Sequence, residues 1–230
     1  MRSKSHVVGG PDAQRISNIG SRIAKAAEIR PLQREINLRV EGYTWEWEYA
    51  LLQDKQINAF CLPGGKVAVF TGLIPVAEND DQLATVLSHE IAHALAHHAS
   101  ERIAREQMYD RAMAVANGAI GSIAPGESRE LIGLLGAGAA ARSLAYNRQQ
   151  ESEADHIGLF LMTFAGYEPE QAIRFWEHMQ QAGAGHVHPP EILSDHPSDG
   201  KRLAQLKQWV SHAQAAKLAW SEGRIAPGAR

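Results

Sequence analysis

The sequence feature that most constrains this chain is His89-Glu90-Ile91-Ala92-His93, an HExxH pattern. It lies within residues 80–105, which the spacing predicts as one long helix capped by Asn79. Apolar side chains recur every four positions along this helix, at Leu83, Leu87, Ile91 and Leu95. Because His89 and His93 are also four residues apart, they share a face. One side of the helix can therefore pack into a core while another presents two imidazoles to a cleft.

This arrangement of residues suits a zinc site. Two imidazoles one helical turn apart can fill two positions of a tetrahedral zinc ion. Glu90, which lies between them, can then act as general base on a water in an open position. The alternative is a surface helix with two solvated histidines, and only a third ligand decides between the two interpretations.

One known pattern takes that third ligand from the same helix, as HExxHxxGxxH. Here Ala96 and Ala99 occupy the positions of its glycine and its third histidine, so that pattern is absent. His97 lies one turn beyond His93 and His98 one residue further, so on a rigid helix both are too far along to join the first two histidines easily on one ion. We expect them to be solvated or to lie behind the ligands.

A glutamate from a second helix is the remaining source, giving a His₂Glu site. The spacing predicts a helix over residues 145–164, on which Glu151 and Asp155 are four residues apart and share a face. Glu151 can ligate the metal, while Asp155 can accept the free ring N–H of a ligand histidine. Taken alone, the same residues would be an ordinary acidic helix patch.

The chain before the HExxH helix predicts one helix and a small sheet. Residues 12–27 have helical periodicity, whereas 36–49 alternate with period two and predict a hairpin with an aromatic face, typical of a core. A second hairpin is predicted over 57–70, turning at Pro63-Gly64-Gly65. The resulting sheet would be largely antiparallel. Its predicted exposed edge, to which an extended peptide substrate could add, is Asn58, Ala59, Phe60, Cys61 and Leu62.

The rest of the chain is predicted to be mainly helical. Further helices are expected over 169–181 and 198–218, joined by a loop at 182–197. Residues 111–141 are rich in small side chains, and both an ordered helical pair and a mobile lid stay open. The fold class predicted is α+β, a single metallopeptidase-type domain over 1–230, with about ten residues at each end flexible.

Composition excludes several other classes. A net charge of −3 gives no reason to expect a nucleic-acid partner. Cys61 is the single cysteine, which rules out an internal disulfide and a cysteine-based zinc site. The basic N-terminus lacks the apolar segment of a signal peptide, so we expect either a cytosolic protein or one whose targeting segment has been removed. No apolar run is long enough to predict a membrane span.

These motifs resemble a known family. HEIAHALAHH followed by NRQQESEAD is similar to the bacterial metalloendopeptidases BepA, LoiP and HtpX, relatives of the eukaryotic CAAX prenyl protease. The stretches Asn58-Ala59-Phe60, Leu62-Pro63-Gly64-Gly65, Pro189-Pro190-Glu191 and His196-Pro197-Ser198 also resemble that family. The resemblance covers about residues 36–206. Helical repeats after the catalytic domain, which BepA has, are not evident here.

The resemblance implies a gluzincin-type site with one zinc ion, bound by His89, His93 and Glu151, with Glu90 as the base and Asp155 behind the ligands. It further implies that His196 and Arg202 lie near the cleft. There they would stabilise an oxyanion or close the site in a resting form.

The function implied is endopeptidase cleavage of unfolded or misassembled proteins in the bacterial cell envelope, in the periplasm or through a lipid anchor. The cytoplasm stays open as an alternative location. The rival from another class is a zinc-stabilised binding or chaperone module, in which a side chain such as His196 fills the fourth zinc position. Glu90 argues against that rival, because a structural zinc site needs no base.

Overall fold

The computed structural model describes residues 6–40, 42–120, 125–183, 190–196 and 201–224. Its strands are β1 (Val7–Val8), β2 (Glu48–Leu52), β3 (Ala59–Leu62) and β4 (Lys66–Phe70). Its helices are α1 (Pro11–Ala26), α2 (Arg30–Glu35), α3 (Asp80–Leu95), α4 (His98–Ile120), α5 (Pro125–Phe164), α6 (Glu170–Gly183), α7 (Glu191–Asp195) and α8 (Arg202–Ser221). A mainly helical fold with one small sheet confirms the predicted α+β class.

Helix α3 is the centre of this fold. It packs against α1, α5, α6 and strand β3, and its apolar positions Leu83, Leu87 and Ile91 are fully buried. Each such side chain contributes about 1.5–3 kcal/mol through burial. The predicted cap is confirmed, since Asn79 Oδ1 accepts a hydrogen bond from the Gln82 N–H at 2.9 Å. The helix carrying the HExxH pattern is therefore held rigidly at both its start and its apolar face.

The prediction of one continuous helix over 80–105 is wrong. Helix α3 ends at Leu95, and His97 adopts a left-handed conformation with φ of 60° before α4 begins at His98. A left-handed residue cannot continue the helical hydrogen-bond ladder, so the axis changes direction there. This break allows His98 to turn back towards His93, which a straight helix would not permit.

The sheet has the order β1-β2-β4-β3. Strands β3 and β4 pair antiparallel, which confirms the predicted second hairpin, and β1 pairs antiparallel with β2. Strands β2 and β4 are parallel, so the sheet is mixed. Strand β3 is at the edge of this sheet and lies against α3.

The predicted first hairpin is wrong over residues 36–47. Its first half instead follows the end of helix α2 as a turn, in which Asn37 is left-handed with φ of 51°. Leu38 N–H bonds to the Gln33 carbonyl and Asn37 N–H to the Arg34 carbonyl, which is a Schellman motif. Ile36 and Leu38 are buried in the core from this turn. Their alternation therefore reflects a helix cap, and only Glu48–Leu52 forms a strand.

The other predicted helices occur as α1, α6 and α8 with small shifts in their ends, and as α5, which ends at Phe164 as predicted but begins at Pro125, twenty residues before the predicted start. The described parts of 111–141 are helical, in α4 and α5, and residues 121–124 lie outside the description. The same holds for the termini 1–5 and 225–230, for 184–189 and for 197–200. The described part of the predicted loop at 182–197 is not all loop, since it contains the end of α6 and the short helix α7. Among the described residues, no helix is long and apolar enough to cross a membrane.

Candidate metal centre

Three segments bring one cluster of donors together. Helix α3 supplies His89 and His93, α5 supplies Glu151, and His196 follows the short helix α7. One ligand atom of each of these four residues lies within 4.8 Å of the others. The first three residues are buried, and His196 is half-buried. The sequence-predicted ligands therefore meet at one point.

The spacing of the donor atoms fits a tetrahedral ion. His89 Nε2 lies 3.0 Å from His93 Nε2 and 3.3 Å from Glu151 Oε2. His93 Nε2 lies 3.4 Å from Glu151 Oε1, and His196 Nδ1 lies 3.2 Å from His89 Nε2. A tetrahedral zinc with ligands at about 2.0–2.1 Å separates its ligands by about 3.3 Å. The donor set therefore fits zinc in size as well as in chemistry.

The charges of the centre also favour a dication. Glu90, Glu151 and Asp155 are three carboxylates, each at most 7% exposed, and Arg202, 3% exposed, is the permanent cation among them. When the histidines are neutral, as metal ligands must be, three negative charges against one permanent positive charge leave a net charge of −2. Uncompensated charge is costly to bury, so a divalent ion would balance the site.

The charged residues also set the protonation of the ligands. Burial opposes the imidazolium form of His89, but Asp155 and Glu151 outweigh burial and raise the pKa of His89 to about 9. Burial lowers the pKa of His93 to about 3, so this ring is neutral, as a metal ligand must be. Burial opposes ionisation of Glu151, yet its hydrogen bonds with the three histidines hold its pKa well below the usual range.

A carboxylate and an arginine hold His89 from behind. His89 Nδ1 lies 3.0 Å from Asp155 Oδ1, within hydrogen-bonding distance, which leaves Nε2 free to face the centre. Arg202 Nε donates to Asp155 Oδ2 at 2.6 Å and Nη2 donates to Glu151 Oε2 at 3.3 Å. The same guanidinium lies over the Trp176 ring at 3.8 Å. Arg202 thus lies behind the ligands, where it orients two carboxylates.

His93 has a different support. Its Nδ1 lies 2.8 Å from His98 Nδ1, and His98 Nε2 lies 3.4 Å from Glu153 Oε2. If His93 Nε2 faces the metal, His93 Nδ1 carries the ring proton and donates a hydrogen bond to His98 Nδ1. His98 is 1% exposed, so this contact is buried. The expectation that His98 lies behind the ligands rather than on them agrees with this geometry, although its partner was not foreseen.

A glycine sets the distance between the two ligand-bearing helices. A Cβ atom placed on Gly158 of α5 would lie 3.0 Å from His89 N and 3.1 Å from the Ser88 carbonyl group. The absence of a side chain therefore lets α5 approach the backbone of α3 closely, two turns after Glu151. Sequence patterns gave no signal for this role, because a single glycine within a helix has many explanations.

Glu90 lies beside the donors rather than among them. His196 Nε2 is 3.3 Å from Glu90 Oε1, and the Cys61 backbone of strand β3 hydrogen-bonds the same carboxyl group. Burial is the main cause that raises the pKa of Glu90. His196 therefore bridges the donor cluster and the predicted base, through one ring nitrogen on each side.

A cleft of about 530 Å³ opens beside the centre. Its lining includes Glu90, His93 and His196 from the centre, together with Ala59 and Phe60 of the predicted edge strand. Asn58, just before that strand, is buried, and its side chain accepts a hydrogen bond from the Ala59 N–H. The roles predicted for these residues stay predictions, but the structure brings all of them except Asn58 to the lining of one cleft.

Comparison with known proteins now adds to the geometry. The model of peptidase family M48 matches residues 13–210. The chain is 35% identical over 207 residues to the mitochondrial metalloendopeptidase OMA1 of Saccharomyces cerevisiae, covering 88% of this chain and 57% of that protein. It is 37% identical over 172 residues to mitochondrial OMA1 of Bos taurus, covering 73% and 33%.

A bacterial relative is also similar. The beta-barrel assembly-enhancing protease of Escherichia coli strain K12 is 31% identical over 181 residues, covering 76% of this chain and 37% of that protein. The chain thus spans between 33% and 57% of the length of these three relatives. The family match covers most of the chain and includes all four donor residues, so the chain belongs to peptidase family M48, as its motifs predicted.

Proposed function

We propose that this chain is a zinc-dependent endopeptidase that hydrolyses peptide bonds in unfolded or misassembled proteins. The observation that carries the proposal is the buried triangle of His89, His93 and Glu151 with Glu90 beside it. A donor set held by second contacts, next to an unligated carboxylate and an open cleft, is what a catalytic rather than a structural zinc site requires.

The zinc-binding residues and Glu90 have different roles in the proposed reaction. Zinc held by the triangle would supply Lewis-acid chemistry, which lowers the pKa of a water and polarises the scissile carbonyl. Glu90 takes a proton from the attacking water as its oxygen bonds to the carbonyl carbon. The same carboxyl group then delivers that proton to the amine nitrogen as the C–N bond breaks. Burial raises the pKa of Glu90, so its carboxylate is a stronger base than that of an exposed glutamate.

His196 supports a closed resting form of the same enzyme. Its Nδ1 lies 3.2 Å from both His89 Nε2 and Glu151 Oε2, where a fourth ligand would be, and its Nε2 lies near Glu90. In this position the imidazole takes the place that a water needs between the metal and the base. If His196 closes the site in this way, His196→Ala raises turnover while zinc stays bound. If it stabilises the oxyanion, the same change lowers turnover.

The edge strand supports an unfolded polypeptide as the substrate. Strand β3 is at the edge of the sheet, and its residues line the cleft beside Glu90. An extended segment that adds to this edge is held by main-chain hydrogen bonds, which any sequence can make. A folded protein does not present such a segment, because its backbone groups are already paired.

The location that we propose is the bacterial cell envelope, in the periplasm or held at a membrane by a lipid anchor. One relative is named as a beta-barrel assembly-enhancing protease, which supports this location, whereas the OMA1 relatives are named as mitochondrial. Cell fractionation of the native host tests the proposal. Recovery in the envelope fraction supports it, and recovery in mitochondria or cytoplasm contradicts it.

Digestion of one protein in two states tests the substrate class. The zinc-loaded chain is incubated with a reduced, alkylated protein and with the same protein in its folded, disulfide-bonded form. Internal cuts in the unfolded form alone are expected, with His93→Ala as the control that loses both zinc and cleavage. Equal cutting of both forms would contradict the unfolded-substrate proposal, and His93→Ala that keeps stoichiometric zinc would contradict the ligand assignment.

A further inference from the structure

We propose that the cleft contains an apolar subsite that selects substrates with a large aromatic or aliphatic side chain next to the scissile bond. This inference rests on the proposed endopeptidase function and adds a substrate preference to it. The subsite is bounded on one side by Tyr43, Trp45 and His97, which we call the aromatic wall. All three residues line the cleft together with Glu90 and His93.

The aromatic wall is a packed unit. The ring centroids of Tyr43 and His97 are 4.0 Å apart, and those of Trp45 and His97 are 5.7 Å apart and nearly parallel. Trp45 in turn stacks on Trp47 at 5.2 Å. The chain segment that carries these rings is tied to the β3–β4 turn, since Glu46 N–H bonds to the Gly64 carbonyl. The wall is therefore fixed both to helix α3 and to the sheet.

The wall is maintained at a cost to stability. His97 has a φ of 60°, a conformation in which glycine is favoured and which costs other residues about 1 kcal/mol or more. His97 Nε2 and Trp45 Nε1 are also buried with no hydrogen-bond partner among the described residues. Features of this kind concentrate at functional sites. The left-handed turn, four residues after His93, places the His97 ring against Tyr43 and Trp45.

The rest of the cleft matches a large apolar side chain. Phe60 and Ile103 line it together with the wall, and Ile103 is 53% exposed although it is aliphatic. Small residues leave the space between these large side chains open, namely Ala59, Gly64, Ala94 and Ala99. The cleft volume of about 530 Å³ is within the range of sites that enclose small organic groups.

The subsite lies beside strand β3, and this position places it next to the scissile bond of a substrate that pairs with the strand. A substrate strand that adds to the β3 edge projects its side chains alternately to the two faces of the sheet. One set of side chains therefore points towards α3, where the wall and Glu90 line the same cleft. A bulky apolar residue next to the cut bond fills the space in front of Tyr43 and Trp45, while serine, glycine or aspartate leaves it empty or wet.

Cleavage-site profiling of the zinc-loaded full chain tests the inference. A peptide mixture with randomised residues is digested and the cut sites are read by mass spectrometry, for the parent and for Tyr43→Ala. Tyr109→Ala is the matched control, because Tyr109 is an exposed tyrosine of α4 that does not line the cleft. His97→Gly is the second variant, because glycine accepts the left-handed turn while removing the ring.

The parent is expected to favour Phe, Tyr, Trp, Leu or Met over Ser at one position beside the cut by about tenfold or more. Tyr43→Ala and His97→Gly should each reduce that preference about threefold or more, since aromatic contacts typically contribute a few-fold beyond burial. Tyr109→Ala should keep the preference of the parent. A flat parent profile, or equal profiles for Tyr43→Ala and Tyr109→Ala, would overturn the inference.

Binding separates this inference from the proposed function. Calorimetry with the non-cleaving Glu90→Gln variant compares two peptides that differ only by Phe or Ser at the preferred position. If Tyr43→Ala in that background removes tighter binding of the Phe peptide, the subsite stands even where the parent cuts nothing. Cleavage by the parent without any discrimination in binding or cutting leaves the endopeptidase function standing and removes the subsite.

Discussion

Replacement of His98 by leucine tests how the metal centre is supported. His98 is 1% exposed, and its Nδ1 is the partner of His93 Nδ1 at 2.8 Å. Leucine fills a similar space but offers no acceptor. His93 must keep its proton on Nδ1 when Nε2 faces a metal, so the variant leaves a buried N–H donor without a partner in the metal-loaded state.

The expected size follows from that lost contact. A buried donor without a partner costs about 1–3 kcal/mol, which is about 5- to 150-fold in an equilibrium constant. Without metal, His93 is free to place its proton on either nitrogen, so the penalty falls mainly on the loaded state. We therefore expect zinc to bind His98→Leu about 5- to 150-fold more weakly than the parent, a range that includes the loss of about 10- to 100-fold typical of residues that support metal ligands.

Competition for zinc against a fluorescent chelator measures this change, with circular dichroism to verify that each variant is folded. His98→Gln should recover part of the zinc affinity, because the glutamine side-chain oxygen can accept a hydrogen bond from the His93 Nδ1–H. His178→Leu is the matched control, since His178 is a half-exposed histidine paired only loosely with Glu78, at 3.7 Å. Zinc affinity of His98→Leu within twofold of the parent would refute the reasoning.

Three further predictions concern the surroundings of the centre. Gly158→Ala should weaken zinc binding although alanine favours helix by about 1 kcal/mol, because its Cβ would lie 3.0 Å from His89 N; unchanged affinity in a chelator titration would count against the close approach of α3 and α5. Arg202→Gln should lower the free energy of unfolding by about 3–5 kcal/mol in a urea titration, because Asp155 and Glu151 lose their buried cation; a loss below 1 kcal/mol would be inconsistent with that role. Burial raises the pKa of the Cys61 thiol to about 12. At pH 8.5, iodoacetamide should therefore alkylate the native chain at least about 100-fold more slowly than the urea-unfolded chain. Similar rates in the two states would contradict the raised pKa of Cys61.

Local sequence patterns predicted the structure around the HExxH helix. The start of α3, its apolar face and the pairing of His89 with His93 depend on residues within a few positions of one another, so periodicity and capping predict them. The same holds for the β3–β4 hairpin, whose turn chemistry lies at Pro63-Gly64-Gly65. The meeting of Glu151 with the two histidines is not a local pattern, since Glu151 lies 58 residues after His93; it was predicted from the position of Glu151 on the next helix and from the family resemblance.

Tertiary contacts explain what the patterns missed. Residues 36–40 alternate like a strand, but Asn37 ends α2 with a left-handed turn, and that turn buries Ile36 and Leu38 in the core. Where helix α3 ends, the ring of the left-handed His97 packs on Tyr43 and Trp45, more than fifty positions earlier in the chain. Only this break brings His98 to His93. Sequence periodicity records neither contact.

Whether Glu90 is the catalytic base is decided by comparing the parent with Glu90→Gln, for zinc content and for cleavage of an unfolded protein. Glu90 lies beside the donors rather than among them, so both chains should hold one zinc ion. Cleavage by the variant should fall by about 10²–10⁴-fold, the contribution of a general base. If Glu90→Gln keeps its zinc and cuts as fast as the parent, Glu90 is not the base and the account of this site is wrong.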